Sequence, residues 1–326
     1  MDGSDARSAG PVLMEVLRPG LLALVEDLGR PGLADLGIGR SGAVDVPSLR
    51  LGNRLVGNHE SAAAIELTLG GAAFRFHRPA VVAVTGAPAP VTVAGRPVPA
   101  ATSVPVPAGE ELRVGRPRGG VRTYLAVRGG IDVPPVLGSR SRDTLAGIGP
   151  AELRAGDLLP IGTEVAGPPA AAPVDGGLLG GGPLDGGPVD GGPLDGAHPG
   201  VGPAPGAAPS ATAEVRLRVH PGPRVDWFTD DALATLFGEP YRVTPRSDRI
   251  GMRLSGGRLY YRRTGELPPE GMVTGALQVP PEGQPVLFLA DHPVTGGYPV
   301  IGVVTSDDVP LAAQAQPGRP VRFVPV

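Results

Sequence analysis

Three turns in this chain of 326 residues gather side chains able to handle an anion or a proton. The first runs Asp27-Leu-Gly-Arg30-Pro-Gly and is followed by Arg40-Ser41-Gly42-Ala-Val-Asp45. The second is Ser247-Asp248-Arg249, directly before Ile-Gly-Met, and the third is Asp291-His-Pro-Val-Thr295-Gly296-Gly297-Tyr298. Each sets a carboxylate beside a hydroxyl or an arginine, with glycines that let backbone N–H groups approach a ligand. Such N–H groups can hold a phosphate or an oxyanion without a lysine. The same residue types also build Asx turns and loop-stabilising ion pairs, so residue types alone leave both readings open.

Other chemistries are excluded. There is no cysteine, which removes disulfides, thiol nucleophiles, Cys-bound zinc and iron–sulfur clusters. There is no lysine either, hence no P-loop lysine, no Schiff base, no Ser–Lys dyad and no biotin attached to this chain. The histidines at 59, 77, 198, 220 and 292 show no ligand spacing, so no metal site is expected from them. No G-x-S-x-G elbow occurs. Gly37-Ile-Gly39-Arg-Ser-Gly42 matches the dinucleotide pattern, with Glu66 further on, but the nearest strand ends near Asp27 and a polar turn intervenes. It reads as a glycine-rich turn. The net charge of −3, with no basic stripe, argues against nucleic acid. No run reaches the roughly 18–20 apolar residues of a membrane span. The polar start MDGSDARSAG is unlike a signal peptide, so a cytoplasmic protein is expected.

The elements that must position these turns read as short strands. Gly (52) and Pro (41) are abundant and aromatic residues make up only 4%, which suits many strands and tight turns around a core of Val, Leu, Ile and Ala. Residues 166–213 hold 24 Gly or Pro in 48 positions and repeat GGPLD-GGPVD-GGPLD. Such a stretch cannot bury enough apolar area to offset its ordering entropy, so a disordered Gly/Pro linker is expected there, as is a disordered tail over 1–10. That leaves a β-rich lobe over 11–165 and another over 214–326. Strands are expected at Leu21–Val25, Ile65–Leu69, Ala80–Val84, Val104–Val106 and Tyr124–Val127, then at Val215–Val219, Val273–Val279, Val286–Ala290, Val300–Val304 and Val321–Val324. One helix should start at Asp45, carry Pro47 in its first turn, share Leu51 and Leu55 on a face and stop at Gly57. A second should run from Thr229 to Gly238.

Longer motifs carry a resemblance. The first half, DLGRPG…SGAVD…LRLGNRLVGN…AIELTLGG and YLAVRGGIDVPPVLGSRSRD, is similar to the allophanate hydrolase subunit 2 family, also called biotin-dependent carboxyltransferase-like. HPGPRVDWF, SDRIGMRL, EGMVTGALQVPPEGQPVLFLADHPVTGGYPVIG and QPGRPVRFVPV continue it to the end. Within that family the chain most resembles the C subunits of 5-oxoprolinases. The resemblance implies a mainly β fold with a few short helices, arranged as two cyclophilin-like β-barrel lobes. It implies a B subunit of related fold, an A subunit of the LamB/YcsF type, and hydrolysis of 5-oxo-L-proline with ATP and Mg²⁺ at the assembled complex. For such a reaction Asp291, Asp248 and Gln278 are the expected catalytic residues. Arg30, Arg40, Ser41, Ser247, Arg249, Thr295, Gly296, Gly297 and Tyr298 are the expected substrate or phosphate contacts. His292-Pro293-Val294 departs from the Arg-Gln-Thr expected after Asp291. Two other readings stay open: a biotin-dependent carboxyltransferase component, and a regulatory protein that antagonises a kinase inhibitor.

Overall fold

The computed structural model describes residues 12–170, 213–263 and 265–326. The tail expected over 1–10 and most of the linker expected over 166–213 lie outside the described residues.

The first lobe is two antiparallel sheets face to face. One runs in the order Leu158–Ile161, Val12–Arg18, Ala72–Phe76, Glu111–Val114, Val91–Val93, Arg96–Val98, and the other Leu22–Glu26, Ala64–Thr68, Arg122–Val127, Ala80–Gly86, Val104–Val106. Met14, Val16, Phe74 and Phe76 from the first meet Val25, Ile65, Leu67, Val84, Leu125 and Val127 from the second. The five-stranded sheet is covered on its other face too, by helix α1 (Val46–Val56), where Leu49, Leu55 and Val56 pack on Ala64, Ala83, Tyr124 and Ala126. A sheet covered on both sides reads as continuous apolar runs rather than an alternation, which is why these strands stand out in the sequence. α1 begins where expected: Asp45 Oδ1 accepts from Ser48 N at 3.1 Å, and Gly57 closes the helix in the left-handed region.

The second lobe closes. Its seven strands follow the order Val215–Pro221, Val300–Val304, Ala276–Gln278, Val286–Phe288, Gly251–Ser255, Tyr241–Val243, Pro320–Pro325. The last pairs in parallel with the first, which completes a barrel around Leu217, Val219, Leu254, Leu277, Leu287, Ile301 and Phe323. Helices α2 (Asp230–Gly238) and α3 (Val309–Ala313) flank it. Thr229 stands at the N-cap of α2, but its side chain makes no capping bond. The barrel expected for each lobe is thus found in the second, whereas in the first no ladder joins the two sheets among the described residues.

The first lobe also runs past its expected end at 165. Ala166 and Gly167 donate to Gly57 O (2.8 and 3.1 Å) and Ala170 N to Leu55 O at 2.8 Å, so this irregular strap covers the C-terminus of α1. Among the described residues no helix is long and apolar enough to cross a membrane.

Candidate functional site

The period of two in a strand decides what faces the barrel. With Val25, Ile65, Leu67 and Leu125 in the core of the first lobe, Glu26, Glu66, Arg122 and Tyr124 must point the other way. Tyr124 lies directly opposite Glu66, and its hydroxyl donates to Glu66 Oε2 at 2.7 Å. Onto this polar face the barrel lowers Arg249. The chain on either side of Arg249 extends the ladder between Gly251–Ser255 and Val286–Phe288, with Asp291 N donating to Arg249 O at 3.1 Å, so Asp291 stands beside it.

Arg249 is only 2% exposed and all three of its nitrogens are engaged. Nε and Nη2 hold Asp291 in a fork (2.9 and 3.0 Å), Nη1 donates to Glu66 Oε1 at 2.6 Å, and Nη2 also donates to Gly42 O at 2.7 Å. Asp291 is equally saturated. It accepts from Ser41 Oγ (2.7 Å) and from Thr144 N and Oγ1 (2.9 and 2.7 Å). Arg122 adds a second cation 3.3 Å from Glu66 and donates to Ala313 O across the lobes. Gln314, just after α3, accepts from Val121 N and Arg122 N and donates to Arg122 O and Asp45 Oδ2. The result is a buried ion network that fastens barrel to sheet.

Its charges do not balance unless one group is neutral. Three carboxylates (Glu26, Glu66, Asp291) face two guanidiniums. Burial would raise the carboxyls of Glu66 and Asp291, but Arg249 and their hydrogen-bond donors outweigh it and hold both below the ordinary value. For Glu26 burial wins: with Glu66 and Asp291 also raising it and only Arg249 prominent against them, its carboxyl lies well above the usual range. Among the described residues no donor meets hydrogen-bond geometry at either Glu26 oxygen, although the Ser141 side chain lies close enough to lower the carboxyl slightly and Oε1 is 3.2 Å from Arg249 Nη2.

Of the sequence-predicted residues, Ser41, Arg249 and Asp291 therefore come together, but as the tie between lobes and not as an open clamp. In this arrangement every nitrogen of the Arg249 guanidinium is engaged and Asp291 accepts five hydrogen bonds. Arg30 lies alongside: buried, it donates to Ser141 O and Val136 O, while Nη1 has no partner among the described residues. Asp27 fixes the loop above it, accepting from Ser139 Oγ, Ser141 Oγ and Arg140 N at 2.6–2.7 Å. Asp248 is exposed and its Oδ1 accepts from Ile250 N and Gly251 N, so it caps its own turn. Ser247 does the same with the backbone of Arg253. Gln278 forms a second group at the barrel rim. Its Nε2 donates to Tyr298 O at 3.2 Å, and a Cβ at Gly296 would stand 2.5 Å from that nitrogen, so a larger residue there would displace the Gln278 amide. Thr295, Gly297, Tyr298 and Arg40 are exposed.

Sequence reasoning missed Glu26, Arg122, Tyr124, Thr144 and Gln314, and met Glu66 only as part of a rejected dinucleotide pattern. The available signal was a carboxylate inside an apolar strand, as in LALVE and AIELT. Among the described residues no three His, Asp or Glu side chains are placed to hold a metal ion. The carboxylates that converge are turned onto Arg249, so they do not fit Mg²⁺.

Comparison with known proteins supplies the remaining evidence. Residues 36–325 match the family described as carboxyltransferase domain, subdomain A and B. The chain is 35% identical to the C subunit of the 5-oxoprolinase of Escherichia coli over 96% of its own length and 91% of that protein. It is 31% identical to the urea amidolyase of Lachancea kluyveri over 99% of its length but 17% of that protein. The crystal structure of the K. lactis urea amidolyase superimposes with a TM-score of 0.83 at 28% identity, covering 99% of this chain and 19% of that one.

Proposed function

Because the chain belongs to the carboxyltransferase subdomain A and B family, we propose that it is one subunit of an ATP-dependent hydrolase that opens 5-oxo-L-proline to L-glutamate. Its partners are a B-type subunit of related fold and an A-type subunit of the LamB/YcsF kind. The observation that carries this reading is the near end-to-end match to a free-standing C subunit of a 5-oxoprolinase, where the urea amidolyases are matched over less than a fifth of their length. A five-membered lactam is a poor electrophile, and ATP supplies the activation it needs. Since the carboxylates here do not fit Mg²⁺, the metal-bound nucleotide is assigned to a partner. This chain contributes donors at the rim, namely the Gln278 amide and the Gly297 N–H, for charge developing on the carbonyl oxygen.

The test is co-production of the chain with both partners, followed by glutamate release from 5-oxoproline. The complex should release glutamate only with ATP present, and the chain alone should be inert; strong activity of the chain alone overturns the subunit reading. A second reading, a carboxyltransferase component, is favoured by the full-length superposition on urea amidolyase. It requires a biotin-bearing partner, since this chain has no lysine, and predicts activity that avidin abolishes.

A further inference from the structure

The loops beside the ion network present an apolar, cationic surface. Arg30 N donates to Arg40 O at 2.8 Å and closes a loop whose tip carries Leu36, 71% exposed. Arg30 also donates to Val136 O, which brings in a hairpin tip where Val136 N and Ser139 O are 2.8 Å apart. A Cβ on Gly39 would stand 3.6 Å from Asp143, whose side chain accepts from Leu145 N and Ala146 N, so the 143–147 turn adjoins the same group. Leu36, Val136, Leu137 and Leu145 are all largely exposed on these tied loops. Arg40 and Arg142 flank them and bond only to backbone carbonyls among the described residues, while Asp35 is the single exposed carboxylate of the three loops.

Leu137 decides between a chance scatter of leucines and a built surface. It occupies the first central position of a two-residue hairpin with φ 52°, and Gly138 follows at φ 79°. That geometry is a type I′ turn, whose favoured residues at this position are Asn, Asp and Gly. A leucine there is conformationally disfavoured and, at 50% exposure, gains little packing in return. A local choice that opposes the fold points to something outside the fold. Arginine is also enriched at interfaces relative to the rest of a protein surface.

We propose that the loops 30–40, 136–139 and 143–147 form the docking surface for a partner polypeptide that presents an apolar ridge flanked by carboxylates. The excess of unpaired arginines on a chain of net charge −3 selects an acidic partner over a second copy, which would bring like charges together. The inference rests on the subunit reading above and names the surface through which that subunit assembles.

The experiment measures the dissociation constant of the full chain with the co-produced B-type subunit for wild type, Leu137→Asn, Leu36→Ser and the control Leu158→Ser, an exposed leucine on the outer strand of the six-stranded sheet. Thermal unfolding of each chain alone runs in parallel. Leu137→Asn should unfold at the same or a higher temperature, because Asn-Gly suits the turn, yet bind at least tenfold more weakly. Leu36→Ser should also weaken binding, and Leu158→Ser should not. Unchanged binding by Leu137→Asn and Leu36→Ser overturns the surface and leaves the subunit reading standing. If the wild-type chain binds no such subunit, that reading falls and the docking proposal with it. In that case a homodimer dissociated by the same substitutions makes a second copy the occupant.

Discussion

Asp291 and Arg249 look like catalytic groups by type, and their hydrogen bonds give them a structural part in joining the lobes. Replacing Asp291 with Asn leaves the buried Arg249 short of a counter-charge, a change that typically costs about 3 kcal/mol. Asp291→Asn should therefore lower the free energy of unfolding in urea by about that amount, whereas a residue that serves chemistry alone would shift it within about 0.5 kcal/mol. Glu26 behaves in the opposite sense. Its carboxyl is raised in the folded protein, so folding favours the protonated form, and that stabilisation is complete below the ordinary value of 4.5 and lost as pH rises towards the folded value. Glu26→Gln removes the ionisation. The gain in melting temperature of Glu26→Gln over wild type should be small near pH 4 and grow as pH increases; a gain independent of pH would mean that Glu26 is not the titrating group. These residues show where the sequence stops being informative. Arg249 and Asp291 were identifiable as charged residues in glycine-rich turns, but the partners that define their role lie 183 and 250 residues away, at Glu66 and Ser41.

Helix α1 is the element whose placement sets the polar face. Its signals were local, and Asp45, Pro47 and Gly57 gave its ends correctly. The buried face is another matter: Leu49, Gly52, Asn53, Leu55 and Val56 point inward, and Leu51 does not join them fully. A glycine and an asparagine on the inner face disguise the stripe, and the reason is closeness. A Cβ at Gly52 would sit 3.0 Å from Thr85 Oγ1 and 3.2 Å from Ala126 Cβ, and Thr85 is held by its bond to Ser48 O. Gly52→Val should cost about 2 kcal/mol by overpacking, against the gain in helix propensity it would bring on an open helix. Urea unfolding of that variant checks the close approach of helix and sheet. Strands covered on both faces were legible as apolar runs. Those of the six-stranded sheet, such as Ala72–Phe76 and Glu111–Val114, were not, since arginine and glutamate interrupt them on the outer face. Val273–Val279 shrank to Ala276–Gln278 because Gly275, at φ 90°, turns the chain first.

At the scale of the molecule, the main hydrophobic cores of the two lobes are joined by polar ties, and Val44 of the first lobe packs into the barrel cluster. Lobes joined mainly by surface contacts would melt separately, whereas a buried network makes them unfold together. Wild type should show one calorimetric transition, and Arg249→Met combined with Gln314→Ala should split it into two, one for each core. A single transition in the double variant would place the coupling elsewhere. The barrel closes by strands from its own two ends, and among the described residues every strand of the five- and six-stranded sheets lies before Ala170. Each half is therefore a topologically finished object, and the fit between them is written in side chains and not in the peptide bonds that connect them. A gene broken between these halves should therefore encode two pieces that find each other, and co-purification of the separately encoded halves checks it.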